Sequence, residues 1–411
     1  MIVQLLLVLL VQTAALDTPN PLEELYAEAM TAMEAGDWSK AISKLEAILV
    51  EDPSHVSSRF NLAVSLDEAG QTDRALESYR AMLDADPTIF EARMNLAILM
   101  HEHDMSDDAI VEFTNAARLR PEDPLPALYR AQLLDQSDRI DETIQAYETV
   151  LGIDPELVEA HERLGFIYRD MDDTDQAIRE FSEAIRLGSL APAVFVAAGD
   201  IESDRDNLDA AREYYERAAA IVPGDADIRL RLALVLRNQE QLSEAIAILE
   251  DLEESDPVLA EAYMAAEMYA AAAAVFERLT AQNPEISDYW YMLGRAYFLT
   301  GRSEQAELVL QRAMSIEPER VAGWGTLAVI YMEREDWQSA GVMLLQYVTL
   351  EPDHAPSHFA VALCFDNLGE FERALMHYNR FIELDDGSDD VQSFQVRQRA
   401  ESLERYLSEN E

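Results

Sequence analysis

Cysteine and lysine are nearly missing from this chain. The one cysteine, Cys364, excludes an intramolecular disulfide and any zinc site made from paired cysteines. Set between Leu363 and Phe365, it reads as a small buried hydrophobe, with a reactive thiol as the alternative. Lys40 and Lys44 are the only lysines, and 31 basic residues face 80 acidic ones, for a net charge of −49. Such a field repels phosphate and argues against nucleic acid as a partner. Two accounts of the imbalance stay open: a surface adapted to high salt, where screening shrinks self-repulsion, or a solvated acidic outer face.

Glycine (14) and proline (15) are too scarce for a collagen-like or linker-dominated chain. Glycine-rich phosphate loops, nucleophile elbows and paired catalytic carboxylates on a cleft scaffold are lacking. No catalytic residue and no cofactor is expected, and the chain does not read as an enzyme. Long apolar runs are scarce too: residues 2–11 form the candidate, shorter than the ~20 residues that span a bilayer. With Thr13, Ala14 and Ala15 before the polar Asp17, residues 1–16 read as a signal peptide cleaved near Ala15, although no basic residue precedes the run. Export to a periplasm or the extracellular space is the expectation. If retained, the segment would be a membrane anchor or a hydrophobic cap on the first repeat.

What is present is a repeat. Pro53, Pro87, Pro121 and Pro155 stand 34 residues apart; Ser189 fills the next slot, and Pro223 and Pro257 resume the phase. The step to Pro284 is 27, after which Pro318 and Pro352 return to 34 and Asp386 takes the last slot. Twelve residues before each marker stands a small residue, from Ala41 and Ala75 through Ala340 and Ala374, with Thr143 the exception. Eight before it stands a bulky one, such as Leu45, Tyr79, Phe113, Tyr147, Phe181 or Tyr378. Apolar-small pairs such as Leu62-Ala63, Leu164-Gly165 and Leu293-Gly294 open each unit. Each unit therefore holds two apolar-periodic stretches of about 12 residues around a turn, which predicts antiparallel helices. Small residues let the helices approach, bulky ones fill the space between pairs, and proline is expected in the first turn of the next helix. A lone pair cannot bury both faces, so the pairs must stack.

This pattern resembles the tetratricopeptide repeat family, at eleven units over residues 22–386. The resemblance implies an all-α, right-handed superhelical solenoid of antiparallel helix pairs, whose first helices line a concave groove. Residues 22–257 would form seven N-terminal units and 287–386 the C-terminal units, with 388–411 as capping helix and tail. The unit at 258–286 is seven residues short, with the loss expected in the first helix near Val258–Ala266. It predicts either a hinge between two arms or a deletion without a role.

Function in such an array is read from the groove. One inward position runs Tyr26, Phe60, Met94, Leu128, Glu162, Val196, Leu230, Tyr291, Gly325, Phe359. Its large apolar members suggest a surface for an apolar or amphipathic segment of another protein; the alternative is packing against the next unit. The following position carries Asn61, Asn95 and Tyr129, and in some family members a groove asparagine grips peptide backbone. Relatives that clamp a terminal carboxylate add lysines, which these positions lack. Arg163, Arg231 and Arg295, with Arg169 and Arg237 one to two turns on, suggest a site for an acidic partner segment. Pairing with Glu162, Glu159, Asp170 or Asp227 is the competing account.

His101 and His103 diverge by about 200° on a helix, and His354 and His358 straddle Pro356, so no metal site is expected. The acidic run at 385–390 lacks the spacing of a calcium loop. The leading expectation is a protein-binding scaffold or adaptor. A self-assembling structural protein and an accessory repeat subunit of an enzyme complex are the alternatives.

Overall fold

The computed structural model describes residues 21–137, 139–252, 255–385 and 390–410. Within them the chain forms 23 helices and no strand. The predicted signal peptide, 1–16, lies outside the described residues. The helices run α1 (Pro21–Glu34), α2 (Trp38–Glu51), α3 (Val56–Glu68), α4 (Thr72–Ala85), α5 (Phe90–Glu102) and α6 (Ser106–Leu119). They continue with α7 (Pro124–Asp135), α8 (Ile140–Ile153), α9 (Val158–Asp170), α10 (Thr174–Arg186), α11 (Pro192–Asp204) and α12 (Leu208–Ile221). Next come α13 (Ala226–Asn238), α14 (Leu242–Leu249), α15 (Asp256–Ala265), α16 (Tyr269–Gln282), α17 (Ser287–Leu299) and α18 (Ser303–Ile316). Last are α19 (Val321–Glu333), α20 (Trp337–Leu350), α21 (Ala355–Asn367), α22 (Phe371–Leu384) and the capping helix α23 (Asp390–Asn410). Up to α22 these make the eleven expected pairs. Two compact units divide the chain between Ile201 and Glu202, inside α11. The short repeat at 258–286 lies within the second unit.

The phase positions form the core. Ala41, Ala75, Ala109, Ala177, Ala211, Ala245, Ala272, Ala306, Ala340 and Ala374 are all fully buried, and the bulky partners from Leu45 to Tyr378 are buried beside them. The close approach is visible at Gly294, where a Cβ would stand 2.5 Å from Leu310, and at Gly165, where it would stand 2.5 Å from Phe181.

The turn inside each pair has its own signature. Gly36, Gly70, Gly301 and Gly369 adopt positive φ there, and so do Asp104, Asp172, Asp206, Glu240, Glu267 and Glu335. Each closes a Schellman turn, in which the amide two residues past the helix reaches back across the last turn. Examples are Asp37 N–H to Met33's neighbour Ala32 O (2.9 Å) and Asp336 N–H to Tyr331 O (2.9 Å).

The marker prolines depart from expectation. Pro53, Pro87, Pro121, Pro155, Pro223, Pro284, Pro318 and Pro352 lie in the turn, three residues ahead of the next helix, rather than in its first turn. Their work is to end the preceding helix. The residue before each, such as Asp52 (φ −129°, ψ 89°) or Asp86 (φ −142°, ψ 99°), is driven out of helical geometry by the proline ring. Where Ser189 replaces proline, Gly188 at φ 100° ends α10 through a Ser189 N–H to Ala184 O bond of 2.9 Å.

A side chain six residues beyond the proline often claims its carbonyl. Arg93 (2.8 Å), Trp290 (2.9 Å) and Trp324 (2.8 Å) donate to Pro87, Pro284 and Pro318. His161 and His358 do the same to Pro155 (3.1 Å) and Pro352 (3.0 Å), and Arg59 to Pro53. The two tryptophans are thus clamps at the joints between repeats.

The short repeat also differs from expectation. α14 keeps 8 residues where α12 has 14, and α15 keeps 10 where α13 has 13. The loss is shared by the two helices and falls mainly on the second helix of the preceding pair. Pro257 here sits in the first turn of α15.

Candidate binding groove

In the first unit the inward ladder is largely closed. Phe60 is fully buried, its ring edge-on to Tyr79 at 6.2 Å, and Met94 is buried in the same core. Asn61 is also fully buried and donates to the Tyr26 hydroxyl (2.8 Å) and the Met30 sulfur (3.2 Å), so its amide is not offered to a ligand. Asn95 donates to the Tyr79 hydroxyl at 3.3 Å. Tyr129 stacks on Phe113 at 5.3 Å, and Leu128 packs on the core formed by α7 to α9. Burial raises the Tyr26 and Tyr129 hydroxyls above the usual phenol range. The expected N-terminal groove surface is corrected accordingly for Phe60, Asn61 and Met94: successive large side chains fill the space that a ligand would need. A concavity of about 330 Å³ in this unit is built from turn residues around Pro53, Val56 and Ile89, and its Arg59 is spent on the Pro53 carbonyl.

The arginines are mostly answered within the chain. Arg163 Nε donates to Asp135 at 2.8 Å, and Arg169 pairs with Asp170 at 2.7 Å while lying over the Phe166 ring. In the second unit Arg231 pairs with Asp227 at 2.8 Å and Arg237 with Glu261 at 2.6 Å. Asp135 and Glu261 were not foreseen as partners, because they lie on neighbouring helices 28 and 24 residues away.

Arg295 differs. Among the described residues it has no carboxylate partner; its contacts are the Met292 sulfur at 3.9 Å and the Tyr291 ring at 5.9 Å. It stands on the wall of a groove of about 460 Å³. α17 contributes Tyr291, Arg295, Phe298 and Leu299, spaced to share one helix face. α19 contributes Ala322, Gly325, Thr326 and Val329, and Tyr347 of α20 closes the floor. Leu299 and Val329 are each 44% exposed, so apolar surface faces solvent here.

Gly325 makes the groove. At the same phase the flanking repeats carry Tyr291 and Phe359, whereas here glycine leaves the Tyr347 ring half-buried, packed against the His354 ring at 5.3 Å. A Cβ added at Gly325 would meet the Tyr347 ring at 3.2 Å. The Thr326 hydroxyl is engaged with the Ala322 carbonyl (2.9 Å), which leaves the Arg295 guanidinium as the charged donor of the wall. Tyr291 is flanked by a second guanidinium, Arg320 at 5.2 Å, which Glu317 holds at 2.7 Å. Phe298, Leu299 and Val329 carried a sequence signal, lying three or four residues from Arg295 and Gly325. Tyr347 carried none, since it reaches the groove from a second helix.

Among the described residues no helix is long and apolar enough to cross a membrane, and no three His, Cys, Asp or Glu side chains converge as a metal site requires.

Residues 26–88, 163–226 and 258–320 match one tetratricopeptide repeat profile and residues 204–265 a second, together more than half of the chain. Among curated proteins none matches the sequence. Similar solved structures include one of Naa15/Naa10 bound to HypK-THB, 16% identical with a TM-score of 0.44, covering 95% of this chain and 67% of that one. The Cut9–Hcn1 hetero-tetramer structure is 13% identical (TM-score 0.37) over 93% of this chain and 96% of that one. The structure of YrrB, described as having an unusual peptide-binding site, is 23% identical (TM-score 0.32) over 51% of this chain and 95% of that one.

Proposed function

Because the chain belongs to the tetratricopeptide repeat family, a family of protein-interaction scaffolds, we propose that it holds a segment of a partner protein against its second unit. One large apolar side chain of that segment seats between α17 and α19. The observation that carries this reading is the gap at Gly325, which leaves exposed Leu299 and Val329, with half-buried Tyr347 beside them, to line a concave surface. Isolated exposed hydrophobics are ordinary, but a concave group of them beside an unanswered charge is the usual form of a recognition site.

The test is affinity capture from the native host with the wild-type chain and with Gly325→Leu, followed by mass spectrometry. Gly325 is helical with ordinary φ, so leucine fills the groove without backbone strain. A partner held by wild type and lost from the folded variant supports the reading. Equal recovery with both removes the groove from the function, and recovery of this chain alone would favour self-assembly.

A further inference from the structure

Resting on that reading, we infer that the segment held in the groove carries an acidic side chain, Asp or Glu, next to its large apolar residue. Three observations lead there. Among the described residues Arg295 has no carboxylate partner, whereas Arg163, Arg169, Arg231 and Arg237 each hold one. Other arginines also lack a carboxylate, such as Arg59, Arg118 and Arg179, which bond to neutral groups, but Arg295 is the arginine on the wall of this groove, where a guanidinium's fork is matched by a carboxylate from outside. Second, Arg295 stands at mid-length of the α17 wall, one turn after Tyr291 and one turn before Phe298 and Leu299. The charge therefore lies beside the apolar seat rather than beyond it, which sets the acid and the apolar group on adjacent residues of the ligand.

Third, the groove is built from helix interiors. Tyr291–Leu299 lie inside α17 and Gly325–Val329 inside α19, so their backbone N–H groups are committed to the helices; of the lining residues, Ala322 alone lies in a first turn. Capture of a chain terminus draws on free backbone N–H groups, whereas an acidic side chain needs only the fork. The observations favour the side chain. The net charge of −49 adds a constraint: the rest of the segment is neutral or basic, since a run of acids would be repelled.

The probe is a fluorescein-labelled, C-terminally amidated peptide Ser-Ala-Phe-Glu-Ala-Arg-Ser, read by fluorescence anisotropy against the full chain. Replacing its Glu by Gln should weaken binding about fivefold, as expected for a partly exposed ion pair. The same replacement should make no difference to Arg295→Gln, and Arg295→Glu should prefer a Phe-Lys peptide. Circular dichroism confirms that each variant is folded. If the Glu and Gln peptides bind wild type equally and Gly325→Leu abolishes both, the acidic requirement is wrong while the groove stands. Binding that ignores Gly325→Leu, or no binding of either peptide, overturns the inference; the host-capture experiment then decides the groove reading separately. If a free C-terminus restores the Gln peptide, a terminal carboxylate is the ligand and the side-chain assignment fails.

Discussion

The Nδ1 atoms of His358 and His377 lie 3.0 Å apart in a buried, stacked pair. His358 Nε2 faces the Pro352 carbonyl at 3.0 Å, and a carbonyl only accepts, so that nitrogen carries the proton. His358 Nδ1 is then the acceptor and His377 Nδ1–H the donor. The bond exists only while His358 Nδ1 carries no proton.

Acid should loosen this C-terminal pair. Burial, the neighbouring His358 and the Arg373 cation push His377 down to about 4, against roughly 6.5 for an unfolded histidine. The unfolded chain therefore binds the proton first, and stability falls as pH drops from 6.5 to 4, by about 3 kcal/mol at most. Arg373 lies over the Phe365 ring at 3.7 Å and adds to the repulsion. Asp67 in the other unit works in the opposite sense: burial raises it to about 6, with Glu102 and Glu68 adding, so its contribution is lost as pH rises. Comparing thermal melts of wild type and His377→Gln isolates the pair. Wild type should lose several degrees more between pH 7 and 4.5, and parallel curves would remove the histidine from the account.

Glutamate in the left-handed turns is a replaceable strain. Glu240, Glu267 and Glu335 hold φ near 60°, where Gly36, Gly70, Gly301 and Gly369 stand in other repeats. Glu335→Gly should stabilise by roughly 0.5–1 kcal/mol, while Gly301→Ala should cost about 1 kcal/mol. Urea titration reads both; the same sign for both changes would contradict the turn geometry.

Glycines of three kinds should respond differently to alanine. At Gly294 a Cβ would strike Leu310, so Gly294→Ala should destabilise by about 1–3 kcal/mol. At Gly152, late in α8, nothing lies within 4 Å, and alanine should stabilise by roughly 0.5–1 kcal/mol. Gly325→Ala should leave melting near wild type and reduce ligand binding. Differential scanning calorimetry on the three variants separates these outcomes.

Phe60→Ala should act on the fold. Its ring is fully buried against Tyr79, so truncation should cost about 3–5 kcal/mol. A change of under 1 kcal/mol in urea unfolding would restore Phe60 to the surface.

The repeats were legible because their spacing rules are local. Ala75 and Tyr79, or Ala306 and Leu310, occupy fixed places in a helix pair, and their sizes decide how closely the helices approach. Proline was read at the right period but with the wrong task, since an N–H-free residue suits a helix start as well as the turn that ends its predecessor. The groove was less legible because the exposure of a first-helix residue depends on its neighbour one repeat on. Phe60 is followed by Met94 and is fully buried, whereas Tyr291 is followed by Gly325 and is half-buried. That glycine was visible in the sequence as a break in the apolar ladder. The partners of the arginines were not, since Asp135 and Glu261 become neighbours only when helices stack.

The shortened repeat tells how such an array tolerates changes in its own length. The seven missing residues come off the end of α14 and the start of α15, so no helix is cut in its middle. Residues of α16 consequently keep their faces, and Ala272 and Phe276 remain buried in their usual roles. A loss of five inside a single helix would instead rotate everything downstream in it by roughly 140° and aim core side chains at water. Length is thus taken from helix ends at the joint between two pairs, where no side chain changes direction.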